Sequence, residues 1–536
     1  MRTRILGGLL AAVVGFGCGD RPDVYDAPVS QVSALGLESQ VALVDDGAHR
    51  VVLLSPHDGQ ELDRTYLGIG KNVVLSQTSD DGKRLFVLSA GDVIRRKSTD
   101  ERASLAVIEN GALRRYELES PHSGFAIDPQ GRWVALFAAP SASSSARTSF
   151  VENPNEIVLV DLTAPVESAV TSRTLRSFGG LPQRVSFTPS LQLPGGARRL
   201  LVVETNQDVA LLDLDNVRSK PQRPELTIRL TEGSTAAANQ PGGVVFDDGD
   251  PTKNDDARIG VRLANGSNVV TVTLVPGLPD AKTEDPSMAP NDFRAVVNLT
   301  DVGGIPGEIV FVRTEAGRRL AAVVPSTRKA VLVDPDTSIT TDVDLQESFS
   351  RISLITNVVG GADGADTALL YGSGGSHGVA FLSLGKAEGK PYRSVEVVSL
   401  ATAVDTVADV PPPRPELKVL QTNAASSFYV LNLASRTAAP LLTQGLASLH
   451  VARDGQRLWA FSSSNLSRVS LDDLHPVPLP LERNIDAVFD VARRDGGRAL
   501  IAVDKRGTVG ATVLDALAPD TAASRSYYGL LLEGLE

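Results

Sequence analysis

The chain has 536 residues, 42% of them hydrophobic, with 52 basic against 64 acidic side chains and a net charge of −12. That apolar content excludes wholesale disorder, and the length allows either several domains or one large repeat array. The negative balance argues against nucleic acid, whose phosphates need a positive field, and a single cysteine excludes intrachain disulfides and thiolate metal clusters.

The amino terminus reads Met1, Arg2, Thr3, Arg4, then an apolar run from Ile5 to Phe16, then Gly17 and Cys18. A basic start, a short apolar run and a small residue form an export signal. The run falls short of the roughly 20 residues a membrane-spanning helix needs. VVGFGC, residues 13–18, resembles the bacterial lipobox, with Gly15 standing where leucine is usual. The resemblance implies a signal peptide over 1–17, acylation of Cys18, a tether and linker over 18–38, and anchoring through two or more acyl chains, since one chain alone holds weakly. The expected location is therefore exported, as an outer-membrane or periplasm-facing lipoprotein.

Beyond the linker one phrase recurs: an apolar-alternating run, a Gly or Asp-Gly turn, a second apolar run, and a third ending near Asp-Leu or Asp-Pro. Copies are VVLSQTSDDGKRLFVLSA at 73–90 with SLAVIENG at 104–111, and FAIDPQGRWVALFA at 125–138 with NEIVLVDL at 155–162. Others follow at 185–215, 308–336, 449–474 and 487–516. Each run is short, rich in Val, Leu, Ile and Phe, and bounded by turn residues, which predicts strands. Glycine belongs in the tight turns because it reaches positive φ without a Cβ clash.

A lone four-stranded sheet cannot bury both faces, so such units must stack on one another, and a closed ring is the propeller solution. Turn positions near residues 39, 82, 131, 196, 256, 317, 364, 415, 455 and 497 mark ten candidate units. The usual propeller size, four to eight blades, favours seven or eight blades in one ring over 39–536, with the units near 39, 256 and 415 read as half-blades or insertions and with a larger ring of up to ten units, or two rings, as alternatives. The phrase resembles the bacterial YVTN and WD40-like β-propeller repeats, including those of lactonase-like and translocation-associated periplasmic proteins, although no literal YVTN string occurs. The resemblance implies an all-β fold and no particular activity.

Antiparallel order puts the second-to-third and fourth-to-first loops of every blade on one face. Residues 91–103, 139–155 and 231–242 are long insertions expected there, and long loops on a rigid scaffold are where binding concentrates. Arg95, Arg96, Lys97, Glu101, Arg102, Arg147 and Glu152 are the candidate contacts. The acidic stretch 247–256 offers Asp248, Asp250, Asn254 and Asp256 as oxygen ligands for Ca²⁺, without the spacing of a helix-loop-helix calcium site; no other cofactor is expected. The six histidines are scattered, no catalytic motif is present, and His450, on an expected inner strand, is the one to inspect first. These features favour an envelope module that binds a protein or glycan and is held to the membrane by its lipid. The alternative is a hydrolase or lactonase working at the central channel, whose mark would be titratable side chains converging on one channel mouth.

Overall fold

The computed structural model describes residues 32–532 except 93–96, 141–152, 177–179, 231–239, 251, 284–287, 356–365, 373–375, 386–392, 423–426, 442–447 and 519–523. Cys18 and the signal sequence lie outside the described residues, as do Arg95, Arg96, Arg147 and Glu152.

Ten four-stranded antiparallel sheets follow one another along the chain. In blade 2 the strands are Val73–Thr78, Arg84–Ser89, Ser104–Glu109 and Ala112–Glu117, numbered here first to fourth from the axis outward. The turn between its first two strands ends at Gly82 with φ 69°, and Gly131 and Gly455 play the same part in blades 3 and 9 with φ of 73° and 63°. In each case the glycine amide donates to the carbonyl three residues earlier, at 2.7 to 3.0 Å. A Cβ would strain these positions, which explains the Gly in the phrase.

What closes the ring is apolar packing. The second strands are buried along almost their whole length, as in Trp133–Phe137 and Leu200–Thr205, and their alternate side chains face the two neighbouring blades. The buried hydrophobic residues fall into ten clusters, each joining two consecutive blades. The tenth joins the last blade to the first, with Val491, Ala499 and Ile501 against Val41, Leu43 and Val52. Every blade is made of strands consecutive in sequence, apart from a small inserted hairpin in blade 4. Among the described residues no strand is exchanged between chain ends, so apolar packing closes the circle, together with hydrogen bonds from Ala492 N–H to Glu38 O (2.8 Å) and from Tyr527 Oη to Gln60 O (2.9 Å).

Arginines at and near the start of second strands pin neighbouring blades. Arg84 donates to the Gly131 carbonyl, Arg199 to Asp128, Arg457 to the Ala516 carbonyl, and Arg258 to Asp336 at 2.8 Å. These pins account for the Arg that follows the turn glycine in GKR and GQR, whereas Arg132 of GRW donates to Asp161 of its own blade at 3.4 Å.

The expectation of seven or eight blades is corrected to ten: each of the ten turn positions sits between the first and second strands of a complete sheet. The units near 39, 256 and 415 looked weak because their turns depart from the phrase. Blade 1 turns without glycine over 37–40, blade 5 carries the acidic loop 248–256, and blade 8 crosses Pro411, Pro412 and Pro413. None of these changes alters the four-strand count. Blade 1 begins with Val32–Gly36, so the ring takes in residues ahead of 39.

Candidate functional site at the channel mouth

The first strands wall the central channel and are far less buried than the second: Val73–Thr78 of blade 2 has no buried residue, and Val74 and Leu75 are exposed. Whatever charge these strands carry at their ends therefore meets at a channel mouth. One mouth opens on the face of the long second-to-third loops.

On that face, across blades 4 to 7, five charged side chains form an arc. Arg184 lies on the first strand of blade 4, Pro182–Phe187, and Glu204 at the end of its second strand, Leu200–Thr205. Arg262 is near the end of Ala257–Leu263 in blade 5. Glu308 and Arg351 begin the first strands of blades 6 and 7, Glu308–Thr314 and Arg351–Ile355. The starts of first strands and the ends of second strands are adjacent in an antiparallel pair, so these positions converge.

Arg184 Nη1 lies 3.7 Å from Glu204 Oε2, and Arg351 Nη1 lies 3.7 Å from Glu308 Oε1. The other Glu308 oxygen accepts the Ile352 N–H at 2.8 Å. Arg262 sits between the two pairs, half-buried, with Nη1 donating to the Pro306 carbonyl at 3.5 Å. Among the described residues no carboxylate lies within 4.0 Å of it, so three guanidiniums face two carboxylates. Burial and then Arg184 push the Arg262 pKa down, with Glu308 opposing.

Glu204 is 2% exposed, and its Oε1 has no hydrogen-bond partner among the described residues. Burial raises its pKa against the pull of Arg184 and Arg262, which favours a proton on this carboxyl. Tyr371, paired in register with Arg351, is likewise raised, first by burial and then by Glu308.

The predicted contacts fall on the expected face where they are described. Glu101 pairs with Arg115, and Arg102 with Glu117 at 3.7 Å. The Lys97 N–H donates to Asp100 Oδ2 at 2.8 Å, and Asp92 Oδ2 accepts the Glu101 N–H at 2.7 Å. Loop 97–103 is thus folded against the fourth strand of its own blade, away from the arc. Sequence reading passed over the arc because its members are single charges at strand ends, far apart in the chain. The available signal was their shared place in the repeat: the start of a first strand or the end of a second.

The acidic loop of blade 5 opens on the opposite face. Its side chains serve the loop and its neighbours: Asp250 Oδ1 accepts the Thr252 N–H at 3.0 Å, Asp256 Oδ2 accepts the Asp250 N–H at 2.9 Å, and Asp248 Oδ1 accepts the Gln192 N–H. Asn254 is exposed. Among the described residues no three His, Cys, Asp or Glu side chains are gathered into a metal-holding cluster.

His450 lies on the first strand of blade 9, opposite Trp459 in register. Trp459 packs toward blade 10, and from that blade Asp490 shares the facing side with Leu500, its register partner. Three polar atoms here, His450 Nε2, Trp459 Nε1 and Asp490 Oδ2, have no hydrogen-bond partner among the described residues. Arg498 Nε donates to Asp490 Oδ1 at 2.7 Å. Burial, then Arg453 and Arg498, lowers the His450 pKa to about 4, and burial raises that of Asp490. This is a polar joint inside the wall, with Trp459 and Asp490 buried and His450 half-buried.

No family model and no curated protein matches the chain. Similar solved structures are the Dos1 propeller, 12% identical over 70% of this chain and 88% of that one with a TM-score of 0.39, and the dihydro-heme d1 dehydrogenase NirN, 12% identical over 85% and 75% with a TM-score of 0.37. Apo AztD from Citrobacter koseri is 11% identical over 75% and 95%, with a TM-score of 0.32. Such likeness carries no function across.

Proposed function

We propose that this chain is an exported, lipid-tethered binding protein of the cell envelope that presents the arc-bearing face of its ring to a protein or glycan. Support comes from the apolar leader ending at Cys18 and from the long loops that share a face with the mouth. The observation that carries the reading is the arc: in a chain of net charge −12, three guanidiniums outnumber two carboxylates around one opening. Charge set against the bulk sign of a protein at a concave mouth is a recognition feature.

The test is chemical cross-linking in intact envelopes followed by recovery of the chain, with Cys18→Ala alongside. The expected result is a membrane-fraction protein cross-linked to a defined partner, and loss of the membrane association in Cys18→Ala. A wild-type chain that fractionates as a free protein and yields no cross-linked partner would sink the reading.

A second reading, a hydrolase or lactonase at the channel, draws on Glu204, a buried carboxyl beside guanidiniums and hence a candidate general acid. Turnover of an ester or lactone by the wild-type chain that vanishes in Glu204→Gln would establish it. Equal turnover by both would dismiss Glu204 from that role.

A further inference from the structure

The arc contains a gap shaped by two glycines. Gly242 and Gly243 lie on the first strand of blade 5, Pro241–Asp247, where a register shift between Pro241 and Gly243 bends the strand. Gly243 is part-exposed and pairs directly with Arg262. A Cβ at Gly243 would lie 3.4 Å from Arg262 Nε and 3.9 Å from Arg184 Nη1. The arginines of two neighbouring blades therefore flank Gly243, with the Arg262 side chain lying over its bare backbone. A Cβ at Gly242 would meet Arg262 Nη1 at 2.7 Å, so the bare backbone there is what gives the guanidinium its room.

We propose that Gly243, Arg184 and Arg262 form a site for an oxyanion, the carboxylate or phosphate group of a ligand entering the channel mouth. An oxyanion lying over Gly243 is flanked by two N–H-bearing cations, and guanidiniums match the planar or tetrahedral oxygens of carboxylate and phosphate. Arg262 is held ready because its own blade supplies no carboxylate within 4.0 Å among the described residues, and Arg184 is 61% exposed with Glu204 only at 3.7 Å. Arg351 adds positive charge on the far side of Glu308. This inference deepens the binding reading above and rests on it.

The experiment is calorimetric titration of the full mature chain with inorganic phosphate and with glucuronate, at fixed ionic strength in chloride. Four chains are compared: wild type, Gly243→Ala, Arg262→Gln and Arg525→Ala. The alanine methyl intrudes beside the two guanidiniums and removes no charge, so the expected result is saturable binding by wild type that weakens about tenfold or more in Gly243→Ala and Arg262→Gln, as loss of one charge-assisted contact implies. Arg525→Ala, on the outermost strand of blade 10 and remote from the arc, should bind as wild type does. Response to phosphate alone marks a phosphate-bearing ligand, to glucuronate alone an acidic sugar, and to both a general oxyanion site; each supports the proposal. Absence of binding to either, or equal binding by wild type, Gly243→Ala and Arg262→Gln, overturns it. If Gly243→Ala fails to fold, Arg184→Gln, an exposed change, takes its place with the same expectation. Cross-linking to one envelope partner by wild type and Gly243→Ala alike would leave the binding reading standing while this one falls.

Discussion

The mouth across blades 4 to 7 and the joint between blades 9 and 10 both hold charged and polar groups in a ring otherwise sealed by hydrocarbon, and they hold them in opposite ways. At the mouth, Arg184 and Arg351 reach solvent and Arg262 lies over the bare backbone of Gly242 and Gly243. At the joint, His450, Trp459 and Asp490 point into packed blade faces with polar atoms unsatisfied. Polar groups that open to water can meet a ligand. Polar groups sealed in a wall can only tax the fold, because an unmade hydrogen bond retains its desolvation cost. The difference puts the proposed binding site at the mouth and pH-sensitivity at the joint.

The sharpest way to break this contrast is to cut each region. Trp459→Ala removes a fully buried indole from the joint and should destabilise the chain by about 3–5 kcal/mol, read from urea unfolding. Arg184→Gln at the mouth should change stability by less than about 1 kcal/mol while weakening oxyanion binding. Similar losses from both would mean that the mouth is structural too.

The joint also predicts a pH dependence. Burial lowers the folded-state pKa of His450 to about 4, below the unfolded value of 6.5. The unfolded chain therefore binds the proton more tightly, so stability is complete above about pH 6.5 and declines as pH falls toward 4. The shift corresponds to a loss of up to about 3 kcal/mol at the acid end. Unfolding midpoints of wild type and His450→Leu across this window should converge at neutral pH and diverge in acid, with the variant the less sensitive. Parallel curves would remove His450 from the account.

Glu204 gives a smaller effect of opposite sign. Its folded pKa is raised by burial, so its contribution is most favourable when both states are protonated and is eroded as pH rises through the unfolded carboxyl range. Glu204→Gln should accordingly raise the unfolding midpoint more at pH 8 than at pH 5. The smallest expected change is Arg102→Ala, whose 3.7 Å pair with Glu117 is exposed on both sides; it should shift stability by no more than about 0.5 kcal/mol.

Much of the architecture was legible because it rests on a repeated local device. Gly82, Gly131 and Gly455 mark turns whose backbone admits little else, and the alternating runs beside them state which faces are buried. The number of blades was legible in the same turns. It was misjudged where Pro411 to Pro413, or the loop 248–256, disguised a normal pair of strands, and where the usual size of propellers outweighed the count. The arc was illegible for another reason. Arg184, Glu204, Arg262, Glu308 and Arg351 are unremarkable as isolated charges, and only ring closure brings their strand ends together. Length drew attention to loop 91–103 instead, yet its described part spends Glu101 and Arg102 on its own fourth strand.

The central claim is a closed circle of ten blades, held where the last meets the first by apolar packing and a few hydrogen bonds, with no strand shared between them among the described residues. A crystal structure of the mature chain viewed along the axis decides it. Ten four-stranded spokes, with Val491 and Ile501 packed on Val41 and Val52, are the predicted result. Eight or nine spokes, or an open arc with the first and last sheets apart, would contradict it.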